Sequence, residues 1–146
     1  MNEHRTVKRV YIAGSSKEVE RACRMAKLLS TAGTEVVSGW MNRVGITEDI
    51  PNDPNASREE LERRANENVM EVRSCDLLWL LAPSTYSLGA YFELGQADAL
   101  KKVLIASGRI LDLRASIFST RAHREFEDDY EALAHICYVV RHGVSL

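Results

Sequence analysis

Residues 76–100 read DLLWLLAPSTYSLGAYFELGQADAL. The first seven of these, DLLWLLA, form an unbroken apolar run bounded by Asp76 and Pro83. A run of strand length with no polar alternation predicts a central parallel strand buried on both faces. Residues 83–87 (PSTYS) then predict a loop at that strand's carboxyl end. Residues 88–101 predict a helix with Leu88, Phe92, Gly95 or Gln96, and Ala99 on one face. A buried strand, a loop and a helix in that order make half of a βαβ unit, and the flanking sequence supplies the rest.

Upstream, residues 7–13 (VKRVYIA) are rich in β-branched and aromatic residues and run into Gly14-Ser15-Ser16, which reads as a first buried strand and a turn. Ser16 is placed to cap a helix starting at Lys17, in which Val19, Ala22, Cys23, Ala26 and Leu29 recur at helical spacing until Gly33. Residues 34–38 (TEVVS) predict a short second strand. Residues 39–55 lack a period and hold Trp40, Met41, Gly45, Pro51 and Pro54; loops of that length in compact domains are usually functional or mobile. Ser57 followed by Glu60 is a capping-box pattern and predicts a helix over 58–74, with Leu61, Ala65, Asn68, Val69 and Val72 on one side. Downstream, residues 103–106 read as a fourth strand, 107–114 carry no decisive pattern, and 115–120 (ASIFST) are a candidate fifth strand. Asp128 or Asp129 caps a last helix reaching about Arg141. This alternation predicts one α/β domain over residues 1–146: an open, mostly parallel sheet of about five strands with helices on both faces, of the Rossmann or flavodoxin type.

Composition narrows the function classes. The 146 residues carry 19 Lys+Arg against 21 Asp+Glu, a formal charge of −2, so the basic stripe that neutralises a nucleic-acid backbone is not expected. No apolar run reaches membrane-span length, and the charged start, residues 1–9, lacks the apolar core of a secretory signal. The three cysteines, Cys23, Cys75 and Cys137, are isolated and odd in number, which points to buried thiols in a reducing cytoplasm rather than to zinc or disulfides.

In open α/β sheets, ligands bind beyond the carboxyl ends of the strands. Three predicted loops lie there: 14–16, 38–41 and 83–89. Gly14, Ser15 and Ser16 offer amides and hydroxyls at a helix start, as do Ser87 and Gly89 at another; each is also an ordinary turn and cap. Glu93 stands in the middle of a helix of small and apolar residues. A carboxylate there either faces solvent beside Gln96 and Ala97 or points into an opening. In the second case it is a candidate nucleophile toward an anomeric carbon, since carboxylates form glycosyl esters and stabilise oxocarbenium-like transition states.

Tyr11-Ile12-Ala13-Gly14-Ser15, the segment from Asn68 to Asp76, and above all Ser87-Leu88-Gly89-Ala90-Tyr91-Phe92-Glu93-Leu94-Gly95-Gln96-Ala97 resemble the nucleoside 2-deoxyribosyltransferase family, nearest its 2′-deoxynucleoside 5′-monophosphate N-glycosidase branch. The resemblance spans residues 7–106 and is weakest over 39–58. It implies Glu93 as nucleophile on C1′, Tyr11 as the group steadying that carboxylate, and Ser15, Ser16, Ser87 and Gly89 around the 5′ end of a nucleotide. It implies no metal or organic cofactor, a small nucleoside or nucleotide as substrate, and a homodimer or larger homo-oligomer whose neighbour completes the pocket. The family's Asp that handles the sugar hydroxyl and leaving base falls on Asn68, and an amide is no acid or base at ordinary pH. Three accounts stay open: Glu67 or Glu71 substitutes, another residue or a neighbouring subunit assists, or Asn68 only binds a sugar hydroxyl. Trp40 and Met41 with the following loop are where a base would stack, unless Trp40 simply covers the core. One of Arg58, Arg63 or Arg64 is a candidate for a phosphate. Whether water or a second base resolves the intermediate is left open. The rival reading is a nucleotide-binding sensor or sequestering module without turnover, and a third is a NAD-type glycohydrolase.

Overall fold

The computed structural model describes residues 3–43 and 55–146. In chain order its elements are β1 (His4–Arg5), β2 (Arg9–Ala13), α1 (Val19–Thr31), β3 (Glu35–Val36), α2 (Trp40–Arg43), α3 (Arg58–Ser74), β4 (Leu77–Leu81), α4 (Leu88–Ala99), β5 (Val103–Ser107), α5 (Ile110–Leu113), β6 (Arg124–Phe126), α6 (Asp129–His142) and β7 (Val144–Ser145). Five strands form one parallel sheet in the order β3-β2-β4-β5-β6. The predicted central strand is the middle one, and all five of its residues are buried. Helices α1 and α6 pack together on one face; α3 and α4 pack together on the other. The expected open α/β architecture with helices on both faces is therefore present.

The register is set at both ends of the sheet. Asp76, just before β4, accepts from the backbone N–H groups of Lys8 and Arg9, each at 2.9 Å, and so aligns the starts of β2 and β4. At the carboxyl ends, Arg21 of α1 donates to Ala82 O and Ser107 O and holds Asp129 at 2.7 Å, which ties β4, β5 and α6 into one network. Ser107 Oγ donates to Asp129 and accepts from Trp79 Nε1.

Several sequence expectations are corrected. Ser15, not Ser16, is the cap: its Oγ accepts from Lys17 N, and a 3-10 turn over Ser16–Glu18 precedes α1. Residues 117–121 form a 3-10 turn rather than a strand; the fifth strand, β6, is a short polar edge. The loop expected over 39–55 begins with the short helix α2, and residues 44–54 lie outside the described residues. The capping box is real, with Ser57 accepting from Glu60 N, but of the predicted inward stripe on α3 only Val72 is buried. A small antiparallel ladder of β1 with β7 joins the two ends of the chain. It depends on Gly143, whose φ is +75° and where an added Cβ would lie 2.8 Å from Arg5 O.

Candidate active site

Helix α4 decides where Glu93 points. Its buried stripe is Ala90, Glu93, Leu94 and Ala97, the i, i+3, i+4, i+7 set that faces the sheet. The face carrying Leu88 and Phe92 is the outward one, with those side chains 70% and 66% exposed. Glu93 is therefore buried at 8% exposure, and the solvated-face reading of it does not hold. Tyr11, on the central part of β2, is fully buried against it.

The two side chains are incompletely satisfied. The Tyr11 hydroxyl is close enough to favour the charged carboxylate, yet neither Tyr11 Oη nor Glu93 Oε2 completes a hydrogen bond among the described residues. Burial is the dominant influence on Glu93 and pushes its carboxyl up to about 8; Tyr11 and Arg43 oppose the shift, and the charge of Glu71 adds to it. Burial, then the nearby Glu93, raises the Tyr11 phenol well beyond its ordinary range, so it stays protonated and can only donate to a carboxylate. Buried polar atoms of a folded chain normally complete their hydrogen bonds, so this pair stands out.

Glu93 lines a cavity of about 390 Å³ between α3 and α4, with Ala65, Asn68, Val69, Leu88, Gly89, Phe92 and Gln96, and Tyr11 lies behind it. At Gly89 an added Cβ would meet nothing within 4 Å, so the glycine leaves open space beside the helix start. Gln96 donates its amide to Val69 O, which turns its Oε1 inward without a partner among the described residues. A larger cleft of about 540 Å³ lies near α5 and the start of α6, and both its arginines are held by its own carboxylates, in the Arg21–Asp129, Arg21–Glu18 and Arg109–Asp112 pairs.

Two helix-capping loops meet at the sheet's carboxyl edge. Ser15 Oγ lies 3.4 Å from Thr85 Oγ1, and Ser84 N donates to Glu18 Oε1. Ser87 caps α4 through a 3.4 Å contact from Ala90 N. Ser15 is buried and its hydroxyl is engaged as a cap, whereas Ser16 and Gly89 are exposed and Gly14 and Ser87 half-buried.

The segment after β3 carries a residue that sequence reasoning missed. Trp40 is buried and its Nε1 donates to Ile12 O at 2.7 Å, while Ser38 Oγ accepts from Ile12 N. The core-cover reading of Trp40 is thus the one its surroundings favour. The indole pins α2 to β2 and brings Arg43 over α3. There Arg43 bonds Asn68 Oδ1 at 2.6 Å and Glu71 Oε1 at 3.0 Å and pairs with Glu67 at 3.3 Å. Glu71 also accepts from Gly39 N. Arg63 and Arg64 are engaged by Glu60, and Arg63 also by Glu67, along α3. No cluster of three or more His, Cys, Asp or Glu suited to a metal occurs among the described residues. The three cysteines are free, and burial raises the Cys75 thiol to about 11, as fits a small core residue. No described helix is long and apolar enough to cross a membrane.

Fold and cleft together define an α/β protein with a buried carboxylate beneath the carboxyl edge of its sheet. Solved structures share this fold: a 2-deoxyribosyltransferase from Bacillus psychrosaccharolyticus (17% identity, 86% of this chain and 90% of that one, TM-score 0.66); the CMP N-glycosidase BcmB of Clostridium botulinum (20% identity, 88% and 97%, TM-score 0.58); and a conserved protein from Enterococcus faecalis V583 (17% identity, 90% and 98%, TM-score 0.59). No protein-family model and no curated protein matches the sequence.

A buried carboxyl that ionises late makes a testable contribution to stability. Between its ordinary value near 4.5 and about 8, the folded chain keeps a proton that the unfolded chain has lost, so this group lowers stability as pH rises through that window. Glu93→Gln removes the penalty. Thermal and urea melts are expected to match wild type near pH 4 and to show the variant more stable by about 2–5 kcal/mol at pH 9. A difference that does not change with pH contradicts the assignment.

Proposed function

We propose that this chain cleaves the N-glycosidic bond of a nucleoside or 2′-deoxynucleoside, or of its 5′-monophosphate, through a covalent glycosyl ester on Glu93. The observation that carries the proposal is the buried Glu93 carboxyl on the wall of the α3–α4 cavity, with the Tyr11 hydroxyl set against it from β2. The likeness in fold to a 2-deoxyribosyltransferase and a CMP N-glycosidase supports it. In the proposed reaction a Glu93 oxygen closes on C1′ as the bond to the base nitrogen lengthens, and its negative charge stabilises the oxocarbenium-like transition state. Tyr11 donates to the carboxylate and holds it in line. Ser16, Ser87 and Gly89 bracket the 5′ end, with Ser15 and Gly14 shaping the turn. Water or a second base then attacks C1′ and frees Glu93, giving an N-glycosidase or a transferase. None of these steps calls for a metal or organic cofactor.

A rival reading, nucleotide binding without turnover, draws on Asn68, an amide held by Arg43 where the resembled family has a carboxylic acid. Chromatography of base released from a panel of deoxynucleosides and their 5′-monophosphates separates the two. Release that falls about a thousandfold or more in Glu93→Ala supports catalysis. Because the nucleophile must be ionised, kcat/KM is expected to rise with pH through about 8. Tight binding with no release in wild type supports the sensor.

We also propose a homo-oligomer in which a second copy covers the outer face of α4. Leu88 and Phe92 are exposed there, as are Tyr86 just before α4 and Ile117 and Phe118 in the 3-10 turn that packs on α4, and clustered exposed apolar side chains mark interaction surfaces. Sedimentation equilibrium is expected to give a dimer or larger species. Ile117→Asp and Phe92→Asp should each shift it toward monomer; a monomeric wild type contradicts the proposal.

A further inference from the structure

Asn68 lines the cavity with Glu93, and its orientation is forced by chemistry. Arginine carries donors only, so the Asn68 atom 2.6 Å from Arg43 Nη2 is the amide oxygen. The –NH2 is then the end of the side chain that is left over, and it donates to no other described residue. Arg43 is itself fixed, by Glu71 through Nη1 and by Glu67 through Nε, while Glu71 is fixed by Gly39 N. The amide cannot turn over without breaking a short charge-assisted bond.

We propose that Arg43 locks Asn68 as a hydrogen-bond donor to the departing base, so that the base leaves as a hydrogen-bonded anion and takes its proton from water. The inference rests on the N-glycosidic reaction proposed above and adds how the leaving group is handled. The C1′–N bond breaks as the Glu93–C1′ ester forms, and the electron pair stays on the base. The negative charge spreads through the carbon next to the glycosidic nitrogen onto the acceptor that carbon bears, the exocyclic carbonyl oxygen in pyrimidines and a ring nitrogen in purines. Asn68 Nδ2–H donates to that atom. Water protonates the free base and its hydroxide, or a second water, hydrolyses the ester, so one water is consumed overall.

The same geometry explains why an acid at position 68 is unsuited to this chain. A carboxyl 2.6 Å from the Arg43 guanidinium would be held ionised, unable to give a proton and repelling the anion that forms beside it. Arg43 is here a positioning residue, and Asn68 is the group that touches substrate. The pair therefore works as a unit: the amide suits the arginine, and an acid suits the site only without it.

The test is base release from the 5′-monophosphates of 2′-deoxycytidine, thymidine, 2′-deoxyinosine and 5-fluoro-2′-deoxyuridine, whose bases differ in acidity. Wild-type kcat is expected to climb steeply with the acidity of the leaving base. Asn68→Ala should lose roughly 10–100-fold in kcat, most for the poorest leaving base, with KM little changed. Asn68→Asp alone should lose at least as much. Arg43→Gln combined with Asn68→Asp should recover activity and acquire a falling limb at high pH, where the introduced carboxyl loses its proton. Asn68→Ala and Asn68→Asp leave Arg43 in place, so they decide the matter if Arg43 variants fail to fold. Glu93-dependent release that is indifferent to leaving-base acidity, or an Asn68→Asp variant faster than wild type, overturns this inference and leaves the proposed reaction standing. No Glu93-dependent release from any of the four overturns both.

Discussion

A carboxyl group sealed between a strand tyrosine and a helix of small residues is costly to keep, and the rest of the site follows from how this chain tolerates Glu93. Its stripe-mates on α4, Ala90, Leu94 and Ala97, offer nothing polar, and among the described residues the hydroxyl set against it is that of Tyr11. Burial without a cation of its own raises the proton affinity of Glu93 instead of forming a static ion pair. Chains that hold such strain at one place need a rigid frame around it. The frame here is the five-stranded sheet, aligned at one end by Asp76 and at the other by Arg21 and Asp129.

Charge near the pocket is arranged to avoid a simple neutralisation of Glu93. Arg43 is the cation brought closest by the short helix after β3, yet its hydrogen bonds go to Glu71 and Asn68. Its field partly offsets that of Glu71, so Glu93 feels both only weakly compared with burial. The indole of Trp40 has a supporting part in this: by bonding Ile12 O, it fixes the start of α2 and with it the reach of Arg43. Of the two readings of this tryptophan, base platform and core cover, its bond to β2 favours the second, and the indole braces the segment that carries Arg43.

What the sequence made legible are the features with a long period or a local mechanism. The apolar run at 77–81 could only be a buried strand, and Ser57 with Glu60 marked the start of α3 to the residue. Glu93 stood out as a carboxylate in the middle of a mostly apolar helix, where spacing alone left a solvated face and an inward opening equally possible, and its burial decides for the second. Less legible were features made by contacts across the chain. Arg43 reaches Asn68 over 25 positions, and nothing local announces that contact. The edge strand β6 has only three residues, REF, too short and polar to show alternation, whereas the β-branched stretch just before it folds as a 3-10 turn. On α3 the apolar spacing does not become a buried face: Leu61 and Ala65 remain exposed and only Val72 is buried. The same holds for the outward face of α4, whose Leu88 and Phe92 fit helical spacing as well as the buried stripe does.

The central claim is that Glu93 bonds to a sugar's anomeric carbon. It is tested most directly by quenching the protein in acid during turnover of a 2′-fluoro-2′-deoxynucleoside 5′-monophosphate, whose electron-poor sugar slows breakdown of an ester, and mapping the peptides by mass spectrometry. The account predicts one added sugar phosphate, located on Glu93 and absent from Glu93→Gln. Base release accompanied by no adduct on Glu93, or by an adduct on another residue, would contradict it.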